Sequence, residues 1–212
     1  MNKEKNVIEF YVLCNKLKDL IRTGWKNWGV ERFRVESVAE HIYSVQMLAI
    51  AMWSEFKYDI DITKVITMIA VHEMEETVIG DITCFQRTKQ EKQKLGHEAV
   101  VKIFEKLSNA NKIRDLIFEF DERKSKEALF AYYCDKLECD LQCKIYDEQN
   151  CVDLTKQENN ETAKNKEVKE MLDAGLSWSE MWMRFGQEKY HYDENFMKVS
   201  NYAIKNDIVI EK

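Results

Sequence analysis

The sequence predicts an all-α protein, and three observations carry that prediction. The 212 residues include no proline and only six glycines, and 45% are hydrophobic. Sandwiches and barrels draw on proline and glycine for their tight turns, so a chain this poor in both favours helices. Apolar side chains also recur at three- and four-residue spacing along most of the length. A chain of this size can bury one substantial core, and a single domain over 1–212 is expected.

The first helix is expected over residues 3 to 22, from Val7, Ile8, Tyr11, Cys14, Lys18 and Ile21 with Leu13, Leu17 and Leu20 beside them, ending near Gly24. From Trp25 to Ser37 the pattern breaks up around Gly29 and alternating charges, as in a connecting loop. Ser37, with Glu40 three residues on, forms a capping box for a helix to about Lys57. That cap puts His41 in the first turn, at the end of the core-facing stripe Val45, Leu48 and Met52. Asp61 or Thr63 opens the next helix. Its apolar positions Ile62, Val65, Ile66, Ile69 and Ala70 run into His72, Glu73 and Glu76, with His72 and Glu76 on one face and Gly80 as the stop.

Later helices are expected at about 88 to 107, 109 to 121, 125 to 148, 161 to 174, 177 to 188 and 193 to 205. The stretch Asp153 to Lys169 is poor in apolar residues and reads as a mobile connection. The aromatic end, with Trp178, Trp182, Phe185, Tyr190, Tyr192 and Phe196, is apolar enough to dock back on the body. The motif-bearing core is thus about 17–146, with C-terminal helices over 153–205 packing on it.

A net charge of −6 argues against binding a nucleic-acid polymer, although a few local cations can still gather around one phosphate. No apolar run reaches membrane-spanning length and the N-terminus lacks a signal-like h-region, so the expected location is the cytoplasm. There the six cysteines, Cys14, Cys84, Cys134, Cys139, Cys143 and Cys151, are expected to be reduced. Cys139 and Cys143 are four apart, half of a metal site with no second pair to complete it.

The chemistry lies in histidines and carboxylates. Imidazole and carboxylate are the two side-chain types that borderline divalent metals accept together. His41 alone reads as a hydrogen-bonded core histidine. With His72 and Glu73 from another helix it reads as a ligand, and Asp135 is the natural fourth, because an acid amid Ala131, Tyr133, Cys134 and Leu137 would be costly to bury unpaired. His97 and His191 lack such company, and Glu75 is expected to face solvent. Glu138 and Asp140 suit helix pairing as well as catalysis. A zinc-protease helix is excluded by Glu76, which stands where a second histidine is required.

Four ordered blocks, Arg22-Thr23-Gly24-Trp25, Glu36-Ser37-Val38-Ala39-Glu40-His41, His72-Glu73-Met74-Glu75-Glu76 with Gly80-Asp81-Ile82-Thr83, and Asp135-Lys136-Leu137-Glu138, resemble the HD-domain superfamily and its branch of 5′-deoxynucleotidases. The resemblance spans about Leu17 to Tyr146. It implies a helical HD-domain bundle and one divalent transition-metal ion (manganese, cobalt, nickel, zinc or iron) on His41, His72, Glu73 and Asp135. Glu76 would be the catalytic carboxylate, with Asp81 lining the substrate pocket. The implied reaction removes phosphate from a small phosphorylated substrate, a nucleoside 5′-monophosphate first, by attack of a water whose pKa the ion lowers. Arg22, Lys26, Arg32, Arg34 and Arg87 are cations for the phosphate, Arg22 and Arg34 foremost. Trp25 either stacks on the base or covers the core. Relatives of this branch are commonly dimers, so a homodimer is admitted. Two departures stand out: Glu73 replaces the usual aspartate, and Val35 stands where proline is common. They leave room for a catalytically weak metal-bound sensor, or for a hydrolase of another phosphorylated metabolite.

Overall fold

In chain order the computed structural model has α1 (Lys3–Asn15), a 3-10 turn (Lys16–Lys18), α2 (Thr23–Asn27), α3 (Val38–Phe56), α4 (Ile62–Val71), α5 (Glu76–Ile79), α6 (Lys89–Phe104), α7 (Asn111–Glu122) and α8 (Lys126–Glu148). A second 3-10 turn (Leu154–Lys156), α9 (Lys166–Asp173), α10 (Trp178–Tyr190) and α11 (Glu194–Lys205) follow. It describes residues 2–82 and 86–209, without the side chain of Lys89, so Thr83 and Cys84 lie outside the described residues. Among the described residues the one β feature is an isolated antiparallel bridge between Ile21 and Ser37, and the all-α expectation holds.

The chain divides into two compact bodies, Met1–Thr23 with Glu36–Tyr132, and Gly24–Val35 with Tyr133–Lys212. In the first, α3 packs on α4, α4 on α7, and α6 on α5 and α7. Its core includes Leu17, Val38, Met74, Val100, Phe104 and Ile117. In the second, α10 packs on α9 and α11, and Trp25, Trp28, Tyr146, Val168, Trp178 and Met181 form the core. Of the aromatic end, Trp178 belongs to this second core, with Trp182 and Phe185 packed against it.

Three local expectations change. The first helix stops at Asn15, not near residue 22: the Asn15 side-chain amide donates to Tyr11 O at 2.7 Å, the backbone competition that makes asparagine a poor helix residue. The expected loop from Trp25 begins as helix α2, anchored by the buried indoles of Trp25 and Trp28. The apolar-poor stretch 153–169 is held by polar groups in place of apolar ones. Asp153 accepts from Thr155 N at 2.9 Å, the buried Asn160 side chain accepts from Thr162 N at 3.0 Å, and Asn165 caps α9.

Candidate metal centre and its carboxylate cluster

His41 is placed by the capping box read from the sequence. Ser37 N–H donates to Glu40 Oε2 at 2.9 Å and Glu40 N–H to Ser37 Oγ at 3.3 Å, so α3 starts at Val38 and His41 is fully buried in its first turn. Strand-like pairing adds a second restraint, with Arg22 N–H donating to Glu36 O and Val38 N–H to Leu20 O.

His72 departs from the expected helix. α4 ends at Val71, and His72 to Glu75 form a turn closed by three-residue bonds, Met74 N–H to Val71 O and Glu76 N–H to Glu73 O. The cause lies in the side chain: His72 Nδ1 sits 2.7 Å from Ile69 O, the carbonyl that Glu73 N–H would use in a continuing helix. A carbonyl only accepts, so Nδ1 carries the hydrogen, which leaves Nε2 of the neutral imidazole as the nitrogen able to bind a metal. Phe120 packs edge-on against the same ring, with centroids 4.9 Å apart.

The imidazoles of His41 and His72 have centroids 5.8 Å apart, and Glu73 Oε1 lies 3.6 Å from His72 Nε2. Ligand-type atoms of His41, His72 and Glu73 all fall within 4.8 Å of one another, and all three residues are buried. Two imidazoles and a carboxylate converging out of water suit a borderline divalent ion better than they suit each other. Asp135 stands on α8, three residues into the second body. It is buried, with Lys136 Nζ at 2.7 Å from its Oδ2.

Around Glu73 the first body gathers further charge. Arg22 Nη1 is 3.4 Å from Glu73 Oε1. Asp81 Oδ2 accepts from Thr23 N at 2.6 Å while Thr23 Oγ1 donates to Asp81 O at 2.7 Å. Asp81 thus ties down Thr23 and, through it, the segment carrying Arg22. Glu76 opens α5 and is buried; its Oε1 is 3.3 Å from Lys92 Nζ, and its Oε2 has no hydrogen-bond partner among the described residues. Burial first, then Glu73 and Asp81, hold the Glu76 carboxyl well above the usual range.

Glu75 does not face solvent. A Cβ at Gly96 would lie 3.2 Å from Glu75 Cγ, so the bare glycine of α6 admits this side chain, and burial and Glu73 push its carboxyl up to about 8. Burial lowers the Lys92 ammonium, but Glu73, Glu76, Glu75 and Asp81 outweigh it and the balance is upward. Lys92 is not among the residues that the motifs point to. Its signal was a lysine four residues before Gly96 and eight before Val100, on the inward face of α6.

The remaining expectations separate. Trp25 is 2% exposed, its indole packed against Tyr146, Trp178 and Trp182 at centroid distances of 5.3, 6.2 and 5.2 Å. Its faces are taken up by the second body's core, which corrects the base-stacking alternative. Arg34 and Lys26 are exposed in the second body, and so is Arg32, whose guanidinium lies 5.6 Å from the Tyr146 ring centre; Arg87 is exposed in the first. His97 pairs with Asp121 at 2.7 Å, and His191 ends α10 in a left-handed conformation. Cys139 and Cys143 are free thiols, and burial raises the Cys143 thiol, which makes it a poor metal ligand.

The chain is similar to several known proteins. Residues 14–175 match the HD domain family. The 5′-deoxynucleotidase HDDC2 of Dictyostelium discoideum is 38% identical over 68% of this chain and 79% of its own length. The 5′-deoxynucleotidase hdd1 of Schizosaccharomyces pombe is 30% identical over 64% and 70%. Among solved structures, the PH0347 protein of Pyrococcus horikoshii OT3 shares the fold at TM-score 0.64 and 24% identity, over 93% of this chain and 98% of its own. Family match, relatives and fold converge with the clustered histidines and glutamate: the chain belongs to the HD domain family and is a 5′-deoxynucleotidase-like phosphohydrolase.

Proposed function

We propose that the chain hydrolyses a nucleoside 5′-monophosphate, first a deoxynucleotide, to the nucleoside and inorganic phosphate, with one divalent transition-metal ion held by His41, His72, Glu73 and Asp135. The observation that carries this reading is the convergence of His41, His72 and Glu73 beside a buried Glu76 whose Oε2 has no hydrogen-bond partner among the described residues. Asp135 enters as the fourth ligand because it is a buried acid on α8 already paired with a cation. When bound, the ion would lower the pKa of water and offset phosphoryl charge.

The chain's own residues do the rest. Glu76 Oε2 accepts a proton from the attacking water as its oxygen bonds to phosphorus, the phosphorus–O5′ bond breaks, and the leaving oxygen takes up a proton. Arg22 offsets negative charge next to Glu73, and Arg34 offers a second guanidinium to the phosphate. Asp81 contributes by fixing Thr23 and, with it, Arg22. Buried carboxylates around the site disfavour a bare anion, so the ion and these cations together make room for a phosphate dianion.

The relatives' names support a nucleotide substrate, and the match over residues 14–175 supports one functional domain spanning both bodies. Cytoplasmic location is supported by the five described cysteines, all free thiols. A homodimer is supported by α3, which has no charged residue from Ile42 to Ser54 and exposes Tyr43, Met47, Ile50 and Trp53.

Protein loaded in turn with manganese, cobalt, nickel, zinc and iron should release phosphate from one or more members of a panel of 5′-nucleotides, sugar phosphates and phosphodiesters. Glu76→Gln should lower kcat by about 100-fold or more, the usual share of general acid–base catalysis. Release confined to sugar phosphates or diesters would move the substrate class. No release above that of Glu76→Gln would leave a metal-bound binding module.

A further inference from the structure

Among the described residues, Arg22 lies against Glu73, Lys136 against Asp135, and Lys92 against Glu76. The third differs from the others. Glu76 is no ligand in the proposed set, so nothing else in that set would fix its rotamer. The carboxylate has one oxygen 3.3 Å from an ammonium and the other buried with no hydrogen-bond partner among the described residues.

We propose that Lys92 is a positioning residue for the reaction: by holding Glu76 Oε1 it fixes the carboxylate so that Oε2 is presented to the water that loses its proton. This inference rests on the phosphohydrolase reading above.

The geometry argues for positioning over phosphate binding. Lys92 lies on α6, which packs on α5, the helix that Glu76 opens. Glu73, Glu75, Glu76 and Asp81 are the groups acting on its charge, and the ammonium is closest to Glu76. A glutamate has three side-chain torsions, and without an anchor a buried carboxylate samples several orientations, of which few serve a proton transfer that needs heavy atoms within about 3 Å. The anchor also keeps a charged partner beside a carboxyl that burial would otherwise leave alone.

The test compares Lys92→Met, Lys92→Arg, Glu76→Gln and the Lys92→Met/Glu76→Gln double variant in the full chain. Phosphate release, bound metal per chain and thermal unfolding are measured for each. Lys92→Met is expected to lose at least about 10-fold in kcat with KM within about threefold of wild type and metal content unchanged, and Lys92→Arg to recover most of the loss. In unfolding, the double variant should lose less than the sum of the two single losses, since both remove one contact. Should Lys92→Met fail to fold, Lys92→Gln is read in its place by the same criteria.

The inference is overturned by wild-type kcat in Lys92→Met, by a rise in KM without a fall in kcat, by metal lost in step with activity, or by additive unfolding losses. An active wild type with any of these outcomes removes Lys92 alone. A wild type inactive with every metal removes the phosphohydrolase reading and this inference together.

Discussion

Asp140 shows at the scale of one residue how a buried acid sets the pH response of the fold. It is fully buried on α8, and Tyr192 Oη donates to its Oδ2 at 2.9 Å. Burial, only partly opposed by Tyr192 and Lys136, raises its carboxyl well above the ordinary 3.8. As pH rises above about 4, the unfolded chain gives up this proton while the folded chain keeps it, so the unfolded state gains and stability falls until the folded carboxyl also ionises. An asparagine in its place would have no proton to lose. Asp140→Asn should therefore melt close to wild type near pH 4 and progressively above it toward pH 8, measured by thermal unfolding across that range. A gap between the two that stays constant with pH would refute the assignment.

Among the elements, α3 and α4 illustrate what a sequence discloses and what it withholds. The Ser37–Glu40 box was legible because a cap depends on two residues three apart, and it put His41 in the first turn where the structure has it. Ser37→Ala should cost about 1 kcal/mol of stability and weaken metal affinity, because the turn carrying His41 loses its fixed start; titration of metal against a chromophoric chelator measures the second effect, and unchanged affinity would uncouple cap from ligand. The end of α4 was not legible. Helical periodicity runs on through His72 and Glu76, and only a side-chain bond to Ile69 O breaks it. Lys92 and Glu75 were hidden for a related reason: charged residues on an amphipathic helix are read as solvated, whereas Glu75 is enclosed by its tertiary contact with Gly96 and Lys92 is turned inward by its pairing with Glu76.

For the whole molecule the helical class followed from composition and spacing, whereas the placement of the aromatic residues did not. Trp25 sits inside a motif block yet serves the core of the second body, because packing of five large rings is decided by chain topology and not by local sequence. A divalent ion that binds only the folded chain must stabilise it, by about 2.7 kcal/mol at a hundredfold excess over Kd. Chelation should lower the melting temperature of purified protein, restored metal should raise it, and His72→Ala should abolish the shift in scanning calorimetry. A shift that persists in His72→Ala would place the ion elsewhere.

Gly186, finally, constrains how this sequence can drift. A methyl at that position would sit 2.9 Å from Asp140 Oδ2, inside the contact that any side chain tolerates. Alanine, ordinarily the better helix former, becomes admissible at 186 only once the acid at 140 has been replaced by something smaller. Of the two mutational orders open to a lineage, one passes through a crowded intermediate and the other does not, so related chains should have lost the acid before they gained the methyl.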